Sequence, residues 1–397
     1  GAGENLYFGL FGRMGQLTDG MVEVCNLNVE SAFDMELVSL GSYTTYLGGL
    51  AGNAAGLTIE NVNVTLRQME VDRADSDTGR LNVSAGGFFG YEGGIYDADV
   101  TAKIDCTMQF ELGDTSGGTV NLGGFAGQGS DGGKVLFAGG EGIRAAGVSN
   151  AKIGAVMGYS WSAADFRNKA VQNSTDGVIT LEGSDTAAVG LLIGNITCTA
   201  VTGEAVALQA DASTVIEGAF HLKGRTVGGL AGYVNTNGTV QMDDVVLADN
   251  IVLEGADPSA NGRVGGLIAY ADQNATVQLN QCAVAAELAG NAPKNGMIAG
   301  ELRNTTTLNA AGSAYVKRLE TTVAVGSGNE PDKGLSALDV SGLTGDKAYG
   351  DTTALHETTL TALSAAPEAF AVLDADGTIT FTQVGTQAVE LLWNGRH

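Results

Sequence analysis

The chain has 397 residues, 60 of them glycine and 4 proline, with 20 basic against 45 acidic side chains and a formal net charge of −25. Glycine at about twice its ordinary share, beside 44% apolar and 16% charged residues, excludes two classes. A collagen helix needs abundant proline and a strict Gly-X-Y period, and a disordered low-complexity chain cannot carry so much apolar side chain. The acidic balance leaves no basic stripe for nucleic acid or anionic membrane, and no run approaches 18 consecutive apolar residues, so neither nucleic-acid binding nor membrane insertion is expected.

The chain opens Gly-Ala-Gly, with no basic segment leading into an apolar run, which reads as a sequence from which any targeting peptide has already been removed or into which none was cloned. Residues 4–9 resemble a protease-site scar. Residues 8–12 nevertheless fit an internal repeat, so Leu6 onward is read as part of the fold.

That repeat is a five-residue box, Gly-Gly-apolar-x-Gly. Clear copies end at Gly52, Gly90, Gly127 and Gly232, and looser ones at Gly12, Gly158, Gly194, Ala269 and Gly300. From one box end to the next the spacings are 40, 38, 37, 31, 36, 38, 37 and 31 residues. A near-constant period of this length signals a repeat architecture, each unit burying its apolar face only against its neighbours.

Between boxes runs a second pattern: alternating apolar residues, an Asn- or Asp-like residue, then alternation in the opposite phase. It reads Leu57, Ile59, Asn61, Val62, Val64 in one unit and Val240, Met242, Asp244, Val245, Leu247 in another. The first unit has Asn26 and the eighth Gln281 at the same place, and the third has Asp99, with Asp97 in an apolar slot. Period-2 alternation predicts strands, and the slip predicts a corner at a residue that tolerates left-handed backbone. No segment of the array shows a helical stripe.

Short strands with glycine corners at a fixed period predict an all-β fold. We expect a right-handed parallel β-solenoid (β-helix) of about nine glycine-box repeats over residues 1–300, with Leu50, Phe88, Phe125, Leu230 and Leu267 stacked inside. The glycines would serve sharp turns, positive φ or close approach of neighbouring coils. Residues 72–80 and 160–176 are expected to protrude as loops, and the strand register of units four to six is left open by the sequence.

The segments "LGGLAGNAAGLTIENVNVTL" (47–66) and "VGGLAGYVNTNGTVQMDDVVL" (227–247) resemble the GLUG-type repeats of large bacterial surface proteins, over roughly residues 6–300. The resemblance implies extracellular display on a bacterium within an adhesin-like or matrix-forming chain, with carbohydrate or a host surface protein as partner. It carries over no catalytic residue and leaves the oligomeric state open.

After Gly300 the boxes stop, and residues 301–397 are expected to form a β-rich cap or a small β module. Residues 326–336 read as a linker, and residues 370–393 as a hairpin turning at Asp376-Gly377. The hairpin is similar to the closing strands of bacterial immunoglobulin-like surface modules. A cap over the last coil's open edge is the other reading.

The candidate chemistry is thin. Gly127-Gln128-Gly129-Ser130-Asp131-Gly132 satisfies G-x-G-x-x-G, but no helix can follow it, so a coil loop is preferred to a dinucleotide site. Asp374-Ala375-Asp376-Gly377 starts like a calcium loop but lacks the twelfth-position Glu. Asp72, Asp75 and Asp77 offer hard oxygen ligands suited to Ca²⁺, against a solvated loop paired with Arg73 and Arg80; no other metal or cofactor is expected. Cys25, Cys106, Cys198 and Cys282 sit in different units and are expected as buried thiols, and His221 as a strand residue.

No catalytic residue is therefore expected, and the chain is read as a non-enzymatic extracellular adhesin-like or stalk module. One alternative is a β-helix polysaccharide lyase or glycosidase, seeded by Asp97, Asp99 and Lys103 or by Asp243 and Asp244. A phage tail-spike-like fibre is the other.

Overall fold

In the fold each glycine box is the corner between two stacked ladders of strands. The computed structural model describes residues 4–15, 22–114, 117–145, 147–248, 250–303, 305–311, 313–317, 323–328, 335–339, 370–373, 378–384 and 387–392. Among these there is no helix, and the chain is an all-β parallel β-solenoid. The first ladder takes one short strand from ahead of each box, from Leu6–Phe8, Thr45–Gly48 and Asn82–Gly86 through to Lys294–Gly296, nine in all and in chain order. Leu6–Phe8 pairs in register with Thr45, Tyr46 and Leu47, so the chain is in the fold from its sixth residue.

The box centres stack as expected. Leu50, Phe88, Phe125, Leu230 and Leu267 are fully buried. Phe88 lies 4.9 Å from Phe125, ring on ring. Main-chain bonds carry the ladder through the bend: Leu50 N donates to Phe88 O at 3.0 Å, and Phe88 N to Phe125 O at 2.9 Å.

The box glycines do not fill every role that the sequence suggests for them. Among the described residues none of them adopts positive φ. What they provide is closeness: a Cβ on Gly48 would stand 2.5 Å from Gly90 N and 2.6 Å from Phe89 Cα, both in the next coil. On Gly52 it would stand 2.7 Å from Phe8 N, in the previous one. Backbone cannot retreat from such a contact without breaking the ladder, which is why the first and last box positions are nearly invariant among the repeats.

Positive φ belongs instead to the Asn/Asp corner. Asn26, Asn61, Asp99, Asp244 and Gln281 have φ of 54°, 52°, 62°, 56° and 52°. One left-handed residue inverts the alternation of faces, so Leu57 and Ile59 point inward before Asn61 and Val62, Val64 and Leu66 after it. The corner side chains form their own ladder, Asn61 Nδ2 donating to Asn26 Oδ1 at 2.8 Å.

Two expectations change. Residues 160–176 do not simply protrude: Ala164–Asp165 pairs with Leu208 and Gln209, and Ala170–Asn173 lies between Val135–Phe137 and Val215–Glu217, because Phe166 and Val171 are needed in the core. These pairings also fix the register of units four to six. The parallel ladder also runs past Gly300, since Thr307–Ala311 pairs with Thr276–Asn280, and Ser313–Lys317 with both Ala283 and Val284 and with Leu335–Asp339. Loss of the glycine box therefore does not end the coil. Phe370–Leu373, Thr378–Val384 and Gln387–Leu392 form an antiparallel three-stranded sheet. The Asp376-Gly377 turn and the calcium-like residues 374–377 lie outside the described residues.

Candidate functional site

The sharp bend at each box brings two outward columns face to face. One lies two residues ahead of the first box glycine and includes Tyr46, Ser84, Asn121, Lys152 and Arg263. The other follows the last box position and includes Tyr91, Gln128, Tyr159, Tyr233 and Tyr270. The two columns meet side chain to side chain in a seam, or crevice, along the solenoid, in which Ser84, Asn121, Gln128 and Tyr270 are buried.

Aromatic rings line its first half. Tyr7 stacks on Tyr46 at 5.3 Å, and Tyr46 meets Tyr91 edge-on at 6.2 Å. Trp161, two residues past Tyr159, folds back over the intervening coil to stack on Tyr91 at 5.3 Å and 24°. Its side chain is 50% exposed, so a flat indole face is offered to solvent. Burial raises the phenol pKa of Tyr46 and of Tyr91, so both stay neutral hydrogen-bonding groups.

Beside the Tyr91–Trp161 pair is a cavity of about 190 Å³ lined also by Glu92, Gly129, Ser130 and Ser162. Its floor explains the G-x-G-x-x-G segment. Glu92 is 1% exposed, and its Oε2 accepts the backbone N–H groups of Ser130 at 2.9 Å and Asp131 at 3.0 Å. The amides that would cradle a phosphate hold the protein's own carboxylate.

Lys152 stands over the Tyr159 ring at 4.4 Å, in cation–π contact. Burial, with no compensating acid, pulls its ammonium down to about 8. At the far end of the crevice the cations are satisfied. Arg263 lies over Tyr270 at 4.3 Å and pairs with Glu301, which also takes Lys294 at 2.7 Å.

A second concavity, a groove of about 670 Å³, lies on another face. Arg67, Glu70, Asp72, Glu111, Glu141 and Arg144 are among its walls. Asp72 and Glu111 are register partners on neighbouring coils. Arg67 bonds Glu30 and Asp105, and Arg144 bonds Glu141 at 2.7 Å and Glu182 at 3.3 Å. Cys106 also lines the groove, and burial pushes its thiol up to about 11, which keeps it protonated and poorly nucleophilic.

The structure separates the candidates proposed from sequence. Asp77 accepts Ser39 N and Gly79 N and pairs with Arg73 at 3.3 Å, Asp72 faces the groove, and Asp75 is exposed. Among the described residues no three Asp, Glu, His or Cys side chains gather as a metal site. Asp99 is an exposed corner bonded to Lys134 at 2.9 Å, not to Lys103, while the side chain of Asp97 lies outside the description. Asp243 is bonded by Gln241 and by Asn280, and Asp244 is the seventh coil's corner, so both fill ladder positions. His221 is a strand residue and bonds Glu254 at 2.9 Å. All four thiols are free, but only Cys198 and Cys282 are buried; Cys25 is exposed on the outermost strand, where no further described coil covers it.

Trp161, Tyr91, Tyr159 and Lys152 were not singled out by sequence reasoning. For Tyr91 and Tyr159 the signal lay one residue after the last box glycine and for Lys152 two before the first, whereas Trp161 stands three residues past its box and at neither position. No protein-family model, no curated protein and no solved structure matches this chain.

Proposed function

We propose that this β-solenoid is a non-enzymatic, extracellular module of a bacterial surface, adhesin-like or stalk-forming, that binds glycan in the aromatic crevice. The observation that carries the reading is the half-exposed Trp161 stacked on Tyr91. A sugar ring has an apolar C–H face and a polar rim, and a rigid aromatic plane beside hydrogen-bonding groups suits both. Tyr91 positions the indole across two coils, and Ser130 and Ser162 bring hydroxyls to the cavity beside it. The GLUG-type resemblance and the acidic surface support the surface setting.

Binding of the purified protein to a glycan array, beside the Trp161→Ala variant, tests this. The variant is expected to lose at least about tenfold in affinity, roughly 1.4 kcal/mol of stacking. Binding that Trp161→Ala leaves unchanged would remove the crevice from consideration.

A second reading has its own support. The groove sets Asp72 and Glu111 on adjacent coils beside Arg67 and Arg144, the kind of acid–base grouping a polysaccharide lyase or glycosidase needs. Release of unsaturated or reducing ends from the bound glycan, abolished by Glu111→Gln, would move the function to that groove.

A further inference from the structure

Lys152 is the cation of the crevice that lacks an acid. In the same column Arg263 and Lys294 share Glu301, whereas Lys152 has an aromatic face and no ion-pair partner among the described residues. Its register neighbour on the preceding coil, Asn121, is 3% exposed, and the Asn121 Oδ1 is buried without a hydrogen-bond partner. A buried acceptor left unpaired and a desolvated ammonium left uncompensated are each costly, and here they occur side by side. In the cavity beside Trp161, the Glu92 carboxylate is turned to the amides of Ser130 and Asp131.

Resting on the glycan-binding reading above, we infer that the crevice selects a carboxylated sugar. The carboxylate would pair with Lys152 Nζ, and the sugar chain would continue over Trp161 and Tyr91. The ligand thereby supplies the anion that the ammonium lacks. A neutral glycan could use the aromatic platform but would leave Lys152 as it stands.

Calorimetric titration with three carboxylated probes, oligogalacturonate, a hyaluronan oligomer and sialyllactose, each beside its methyl ester, tests the inference on the unaltered protein. The free acid of at least one probe is expected to bind at least tenfold tighter than its ester. Lys152→Met should erase that difference while leaving ester binding intact, and Lys152→Arg should keep it. Trp161→Ala should weaken acid and ester alike. Equal affinity for acid and ester, or an acid preference that survives Lys152→Met, overturns the carboxylate inference and leaves the glycan reading standing. Failure of every probe and ester to bind, with the same failure on the glycan array, overturns both.

Discussion

Lys152 shows how one residue can tie stability to binding. An unfolded lysine titrates near 10.4, whereas here burial with no acid nearby brings the ammonium to about 8. Below pH 8 both states hold the proton and the folded state bears the whole penalty, on the order of 3 kcal/mol. Between about pH 8 and 10.4 the unfolded chain binds a proton that the folded chain has released, so this group's contribution to stability rises with pH across that window. Lys152→Met should therefore stabilise the protein at pH 7 by about 1–3 kcal/mol, with a smaller gain at pH 10. Urea unfolding followed by circular dichroism at the two pH values measures this. A gain that does not shrink with pH would show that the ammonium bears no such cost.

At the scale of elements, the two features legible in the sequence are those the backbone imposes on every coil. Gly48 and Gly52 are confined by main-chain atoms of adjacent coils, and the corner at Asn61, Asp99 or Gln281 requires left-handed φ whatever its side chain. Such constraints recur at fixed spacing and survive divergence elsewhere. The crevice was not legible as a site because its parts come from different coils. Trp161 reaches Tyr91 past the coil of Gln128, from a segment that reads as a loop. The groove shares this obscurity, since Arg67 and Arg144 line it together only through the register of the intervening strand Met108–Glu111.

The outermost strand, Val22–Leu37, raises a separate question at this scale. It pairs on one side only among the described residues, with Ala51–Arg73, and so presents a sixteen-residue edge. Glu23, Asp34 and Glu36 are exposed along it, and charge on an open edge discourages pairing with another chain. Replacing all three with Gln, Asn and Gln should raise self-association at equal concentration, visible by light scattering or sedimentation. An unchanged size distribution would assign that protection to some other feature.

At the scale of the whole molecule, part of the charge of −25 is arranged in columns among the described residues. Asp34 faces Glu70, and Glu36 faces Asp72, which faces Glu111, with like charges in direct register. Farther along, Arg144, Glu182, Lys223 and Glu254 alternate in sign, with contacts of 3.3, 3.8 and 3.5 Å. Exposed pairs of this kind contribute little individually, whereas repulsion among 45 acids against 20 bases acts over the whole surface. Raising sodium chloride from about 10 to 200 mM should therefore lift the thermal midpoint by a few degrees, because screening shortens the reach of that repulsion. A midpoint that falls with salt would mean that the alternating ladder outweighs the acidic columns.

The crowding at the glycine boxes has a consequence for how such a molecule can change over generations. Because a box glycine packs against its own box and the coils directly before and after it, a unit duplicated or lost between two boxes meets the same surfaces that its neighbour met. Copy number can then drift while every junction stays compatible. A binding feature such as the Tyr91–Trp161 pair, confined to a short stretch of coils, could be carried nearer to or farther from either end of the array without being rebuilt.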